Sequence, residues 1–152
     1  MKNYFYILLT GMFLCSAFAK AQQNQPKEIL IESDIERINE EEFPGAIIFQ
    51  KSNKQVYIQH EGAEMWCDLA FYYKDENFVK AYRNVRLKQG DSISMRGRYI
   101  EYNGDTKFAY AAGDVFLKKD TTTVTTDTMY FNRISQQAYY RTGGVVTSPN
   151  SK

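Results

Sequence analysis

Cysteine, proline, histidine and tryptophan are all scarce in this 152-residue chain, at two, three, one and one residues. Of the two cysteines, Cys15 lies in an N-terminal apolar run and only Cys67 falls in the body of the chain. No intramolecular disulfide is therefore expected, and stability must come from burial and backbone pairing. Cys67 stands beside Trp66 in an apolar stretch, the setting of a buried, inert thiol. His60 has no second histidine or cysteine at ligand spacing, which argues against zinc and against the usual acid–base constellations. No catalytic residue, metal or cofactor is expected. The prolines, at 26, 44 and 149, leave a long middle stretch in which no backbone N–H is missing. An excess of positive charge is also lacking. Without Lys2 and Lys20, 17 basic residues face 18 acidic ones, a balance that gives nucleic-acid binding no support.

The N-terminus carries one charge at Lys2, an apolar run from Tyr4 to Phe18, and Ala19-Lys20-Ala21, which fits a cleavage site before Gln22. Thr10, Gly11 and Ser16 interrupt that run and leave it short of the ~20 apolar residues of a spanning helix. Leu14 is not the small residue that lipidation of Cys15 requires. The expected organisation is a signal peptide over 1–21, a polar linker over 22–27, one domain over 28–147 and a polar tail over 148–152. Export of this kind points to the periplasm.

The body of the chain repeats itself. Val56/Ile58, Val85/Leu87, Val115/Leu117 and Val145/Thr147 recur at steps of 29, 30 and 30 residues. Met65, Met95 and Val124 correspond in the same frame, as do Ala70, Ile100 and Met129, and Tyr72, Tyr102 and Phe131. Each unit holds two runs of alternating polar and apolar residues, the period of a strand with one buried face. The runs are 65–73, 78–88, 92–102, 107–118, 123–131 and 137–147, rich in β-branched and aromatic residues. Turn chemistry separates them at 74–77, Gly90-Asp91, Asn103-Gly104-Asp105, Lys119-Asp120 and Asn132-Arg133; Asn103-Gly104 has the composition of a tight hairpin with positive φ. The alternation slips phase within the first run of each unit, which predicts β-bulges near Cys67-Asp68, Gly97-Arg98 and Thr126-Asp127. Residues 28–58 read as a divergent first unit whose insertion, Glu40 to Gly45, is a solvated loop.

A two-strand unit cannot bury its apolar face alone, so the units are expected to pair edge to edge into an antiparallel sheet folded on itself. This predicts an all-β jelly roll or V-shaped sandwich. Its inward-facing residues are Val56, Ile58, Met65, Ala70, Tyr72, Val79, Ala81, Val85, Leu87, Met95, Ile100, Tyr102, Ala109, Ala111, Val115, Leu117, Val124, Met129, Phe131 and Val145. They form either a closed core or an apolar groove, and Ala109, Ala111 and Gly113 thin one wall in favour of the groove. Asp68, Asp91, Asp105, Asp114, Asp120 and Asp127 read as turn and bulge residues before they read as a calcium repeat. The threonines at 121–123, 125 and 126 read as a solvated strand face. Lys80, Arg83, Arg86, Lys88, Arg96 and Arg98 read as edge charges with the chemistry to meet phosphates.

The segments Trp66 to Tyr73, Ala81 to Leu87, Gly97 to Asn103 and Ala111 to Leu117 resemble OstA-like proteins, the LptA family of periplasmic lipopolysaccharide-transport proteins. The resemblance spans about 28–147. It departs from the family pattern at Arg83-Asn84, where Gly-Asn is usual, and at Gly97-Arg98, where a small residue and Asp are usual. The resemblance implies a non-enzymatic lipid carrier: an open β-jelly roll shelters acyl chains of lipopolysaccharide against its inward residues. It further implies inner- and outer-membrane transport partners of similar fold, and end-to-end self-association. The alternative is a β-repeat scaffold with a packed, ligand-free core that assembles through its strand edges.

Overall fold

The computed structural model describes residues 27–149. The expected signal peptide, most of the linker and the last three residues lie outside the described residues. Twelve strands form one antiparallel sheet. They are β1 (Leu30–Glu32), β2 (Ile35–Ile38), β3 (Ala46–Gln50), β4 (Val56–His60), β5 (Ala63–Cys67), β6 (Leu69–Tyr73), β7 (Phe78–Gln89), β8 (Ile93–Asn103), β9 (Phe108–Lys119), β10 (Thr122–Asn132), β11 (Gln137–Tyr139) and β12 (Gly144–Thr147). A single 3-10 turn, Lys74–Glu76, joins β6 to β7.

The sheet is creased along its middle, and the crease turns it into two facing walls. The first wall runs β1, β4, β5, the second half of β7, the first half of β8, the second half of β9, the first half of β10, and β12. The second wall runs β2, β3, β6, the other halves of β7 to β10, and β11. Each long strand thus gives one segment to each wall.

The bends sit where residues drop out of the ladder. Arg98 is unpaired in β8 and Asp127 in β10, while Asp68 separates β5 from β6. These are the three predicted bulges. In β7 and β9 the bend takes two residues, and both pairs are left-handed: Arg83 (φ 63°) with Asn84 (φ 51°), and Gly113 (φ 77°) with Asp114 (φ 50°). A Cβ on Gly113 would lie 2.8 Å from the Arg98 Nε atom, so crowding adds to the φ requirement there. Asp68 ties the crease together by accepting hydrogen bonds from Gln55 Nε2 (3.0 Å) and Asn84 Nδ2 (2.6 Å). Although desolvation raises its pKa, those two donors and Lys51 bring the carboxyl below its ordinary value.

Two sequence expectations change. Asn103-Gly104 does not form a two-residue turn. The loop extends to Lys107, which takes the positive φ (58°) and donates its N–H to the Asn103 carbonyl at 2.8 Å. The Asn103 side chain instead accepts the Asp105 and Thr106 N–H groups at 3.0 and 2.8 Å, and Asn132 repeats this with Ile134 and Ser135. The run 137–147 is two strands, because β11 pairs with the second half of β10 and β12 with the first. Val145 is accordingly not inward. Its register partner is Thr125 on the outer face, and it is 68% exposed. The repeat frame has slipped one residue by this last step, so that Val146 stands opposite the inward Val124.

The core lies between the walls. Among the residues predicted to face inward, all except Val124 and Val145 are buried and belong to one apolar cluster, with exposures from 0 to 5%. Val124 is half-buried against that cluster. Cys67 is fully buried among these residues, and desolvation pushes its thiol up to about 12, which keeps it protonated and unreactive.

Candidate functional site

The space between the walls is where the repeat concentrates its buried apolar side chains, and its boundaries differ. Along the crease the backbone is continuous and closed. At mid-length the walls meet without a gap: Val56, Ala70, Val79, Ala81, Ile100, Ala111, Val115 and Met129 are each 0% exposed. The alanines at 109 and 111 do not open a groove, because both are themselves sealed from solvent.

The edge opposite the crease is held by polar residues. His60 ends β4 in the first wall, Tyr102 lies near the end of β8 in the second, and Arg133 follows β10. His60 and Arg133 are 3% and 6% exposed. The Arg133 guanidinium donates to the Tyr102 hydroxyl, to Gln89 Oε1 at 3.1 Å and to the Glu61 carbonyl at 3.0 Å. The Tyr102 oxygen lies 2.7 Å from His60 Nδ1, and His60 Nε2 lies 2.8 Å from the Lys27 carbonyl. A carbonyl only accepts, so Nε2 carries the proton and Nδ1 accepts from Tyr102. Every polar atom of the chain Arg133–Tyr102–His60–Lys27 is then matched. Glu61 and Lys107 form an ion pair across the same edge, which lowers the Glu61 carboxyl. Asn77, in the left-handed conformation at the end of the 3-10 turn, accepts from the Ile29 N–H and donates to the Lys27 carbonyl and Asp105. Gly104 is required beside it, since a Cβ there would come within 2.4 Å of the Asn77 amide.

Desolvation lowers the His60 pKa from 6.5, outweighing the Lys27 carbonyl and Glu61, and the positive charges of Arg133 and Lys107 lower it further. The unfolded chain therefore takes up the proton first as pH falls. The contribution of neutral His60 to stability is fully present above about pH 6.5 and is lost as pH drops towards the lowered folded-state value. Melting temperature is expected to fall between pH 7.5 and 5, with a flatter profile for His60→Gln. An unchanged slope in that variant would assign the dependence elsewhere.

The C-terminal end is exposed. There the walls thin to β12 and β11, which are exposed along their whole lengths. A hollow of about 430 Å³ reaches inward to Leu117, Val124 and Ala138 and is rimmed by Lys119, Asp120, Thr121, Thr122 and Gln136. Its size falls in the range of small-molecule pockets, roughly 300–1,000 Å³. Ile134, Tyr139, Val145 and Val146 are exposed at the same end, by 71, 45, 68 and 50%.

The outward faces were not resolved by alternation, which places residues on a face without saying what they touch there. On the second wall Phe43, Phe71, Tyr82, Tyr99, Tyr110, Tyr130 and Tyr139 form a continuous ladder of ring contacts, with centroids 4.7–6.5 Å apart. Such cross-strand pairs stiffen that wall. On the first wall Arg86 and Arg96 face outward between Trp66 and Phe116. Among the described residues no group of three or more His, Cys, Asp or Glu is placed to hold a metal ion.

The model of OstA-like proteins matches residues 25–151 of the sequence. No curated protein matches it. Among solved structures, the fold is similar to that of LptH from Pseudomonas aeruginosa, described as the LptA-homologous periplasmic component of the conserved lipopolysaccharide transport device. The two superpose with a TM-score of 0.66 at 10% identity, over 80% of this chain and 94% of that one.

Proposed function

The chain belongs to the OstA-like protein family, and from that premise we propose that it is a periplasmic, non-enzymatic component of lipopolysaccharide transport that shelters acyl chains between its two walls. The observation that carries this reading is the open end. The apolar interior is continuous from Val56 to Phe131 and reaches the hollow at Leu117, Val124 and Ala138, inside a rim of Lys119, Asp120, Thr121, Thr122 and Gln136. Chains enter there and advance by displacing side chains that nothing covalent holds together. The clasp at His60, Tyr102 and Arg133 is the point at which the walls part. The inward residues from Val56 to Phe131 are the proposed lining. Partners of similar β-fold, or a second copy, would add strands at the edges formed by β1 and β2 or by β11 and β12, where among the described residues no further strand pairs.

Photoreactive side chains at Leu117, Val124 and Ile100, compared with the outward positions Glu101 and Tyr110 on the second wall, test the reading. Lipopolysaccharide adducts at the inward positions are expected. Adducts only at outward positions, or none, would end it. The sealed mid-length of the interior favours a second reading, a packed scaffold that assembles through its edges, and this is what remains if no inward position reacts.

A further inference from the structure

The outward face of the first wall holds a feature separated from the interior by the thickness of the sheet. Arg86 and Arg96 stand directly opposite each other in the register of β7 and β8. Trp66 and Phe116 continue the same row on β5 and β9. Like charges set opposite each other on one sheet face repel. The ion pairs among the described residues join Lys51 to Asp68, Lys74 to Glu28, Arg98 to Asp114 and Lys107 to Glu61, so none of them neutralises this pair. Glu64, opposite Lys88 in the register, accepts its hydrogen bond from the Tyr57 hydroxyl at 2.7 Å.

Instead, aromatic rings hold the two guanidiniums. Arg86 lies 5.5 Å from the Trp66 ring centroid and Arg96 lies 4.6 Å from that of Phe116. These cation–π contacts hold each guanidinium against a ring; Arg86 Nη2 also donates to Gln55 Oε1 at 3.1 Å, and the other N–H groups of Arg86 and the fork of Arg96 are left for an acceptor. A hollow of about 230 Å³ lies between these four residues, with Lys88 and Ser94 at its edge. A second hollow of about 450 Å³, reaching to Gln55, Arg98 and Asp114, adjoins it at Arg86 and Arg96.

We propose that this hollow binds a phosphate group. The Arg96 fork, the N–H groups of Arg86 that do not serve Gln55, an ammonium and a hydroxyl offer more donors than the two oxygens of a carboxylate can accept, whereas a tetrahedral phosphate accepts them on three terminal oxygens. One anion between the arginines also removes the repulsion built into the register. The phosphate arrives either free in solution or as a lipid headgroup, and the adjoining hollow leaves room for what it is attached to. The site does not depend on the reading of the interior, because its ligand sits on the other face of the sheet.

Trp66 is the only tryptophan in the chain, so its emission reports on the hollow directly. Titration with sodium phosphate is expected to give a saturable change that sodium chloride at equal ionic strength does not give. Vesicles of phosphatidylglycerol, against phosphatidylcholine, form the second arm. A response to free phosphate identifies a soluble source, and a response to the anionic vesicles alone identifies a headgroup. In either arm Arg96→Gln should weaken apparent affinity at least tenfold, with a melting temperature no lower than that of the unsubstituted protein. Lys80→Gln, which removes the same charge from the second wall, should leave the response unchanged. The proposal is overturned by no saturable response in both arms, by one that chloride reproduces or Arg96→Gln retains, or by equal loss in Lys80→Gln.

Discussion

Replacing Phe131 by alanine is expected to lower the unfolding free energy by about 3–5 kcal/mol, the upper part of the range for large-to-small core changes. Phe131 is 1% exposed, and its register neighbours across the second wall are Ala109 on β9 and Ala138 on β11. Neither alanine has the bulk to move into the space a lost ring would leave, so the void persists and its contacts are forfeited. Urea denaturation with an unchanged slope measures the effect. Tyr139→Ala, at the exposed end of the aromatic ladder, should cost less than about 1.5 kcal/mol, because its ring is 45% exposed. A Phe131 loss as small as that of Tyr139 would mean that the interior is loosely filled at this level.

The second large effect is expected at the clasp. Arg133→Met should cost about 2–3 kcal/mol, since a buried charged donor serving three acceptors is removed and the Tyr102 oxygen, Gln89 and the Glu61 carbonyl lose their partner. Lysine should not restore the loss, because a single ammonium cannot reach three acceptors fixed in the geometry of a fork. The same substitution separates stability from uptake. If the walls part at this edge to make room for chains advancing from the open end, Arg133→Met binds a fluorescent fatty acid more readily than the unsubstituted protein while unfolding at lower urea. A loss of stability with no gain in uptake would make Arg133 a brace and nothing more.

Which features the sequence revealed follows from parity. A one-residue break changes which alternate residues face inward, so the bends at Arg98 and Asp127 appear as phase slips between Met95 and Ile100 and between Val124 and Met129. A two-residue break restores the phase. Inward positions in β7 are 79, 81, 85 and 87, and in β9 they are 109, 111, 115 and 117, all odd, so the bends at Arg83-Asn84 and Gly113-Asp114 leave no trace in the alternation. Alternation placed the named residues from Val56 to Phe131 against the interior and failed at Val145, because the last step is one residue short: Ala138 already stands opposite the inward Phe131, and Val146 opposite Val124. The clasp was illegible for another reason. His60, Tyr102 and Arg133 come from three different repeats, and only closure of the walls brings them together.

Because every long strand serves both walls, removing or adding one thirty-residue module would shorten or lengthen the two walls together. The cross-section is set by the five-residue segments on either side of the crease and is indifferent to how many modules there are. Width and reach are therefore independent variables in this architecture, and selection for a longer span would leave the packing between the walls untouched.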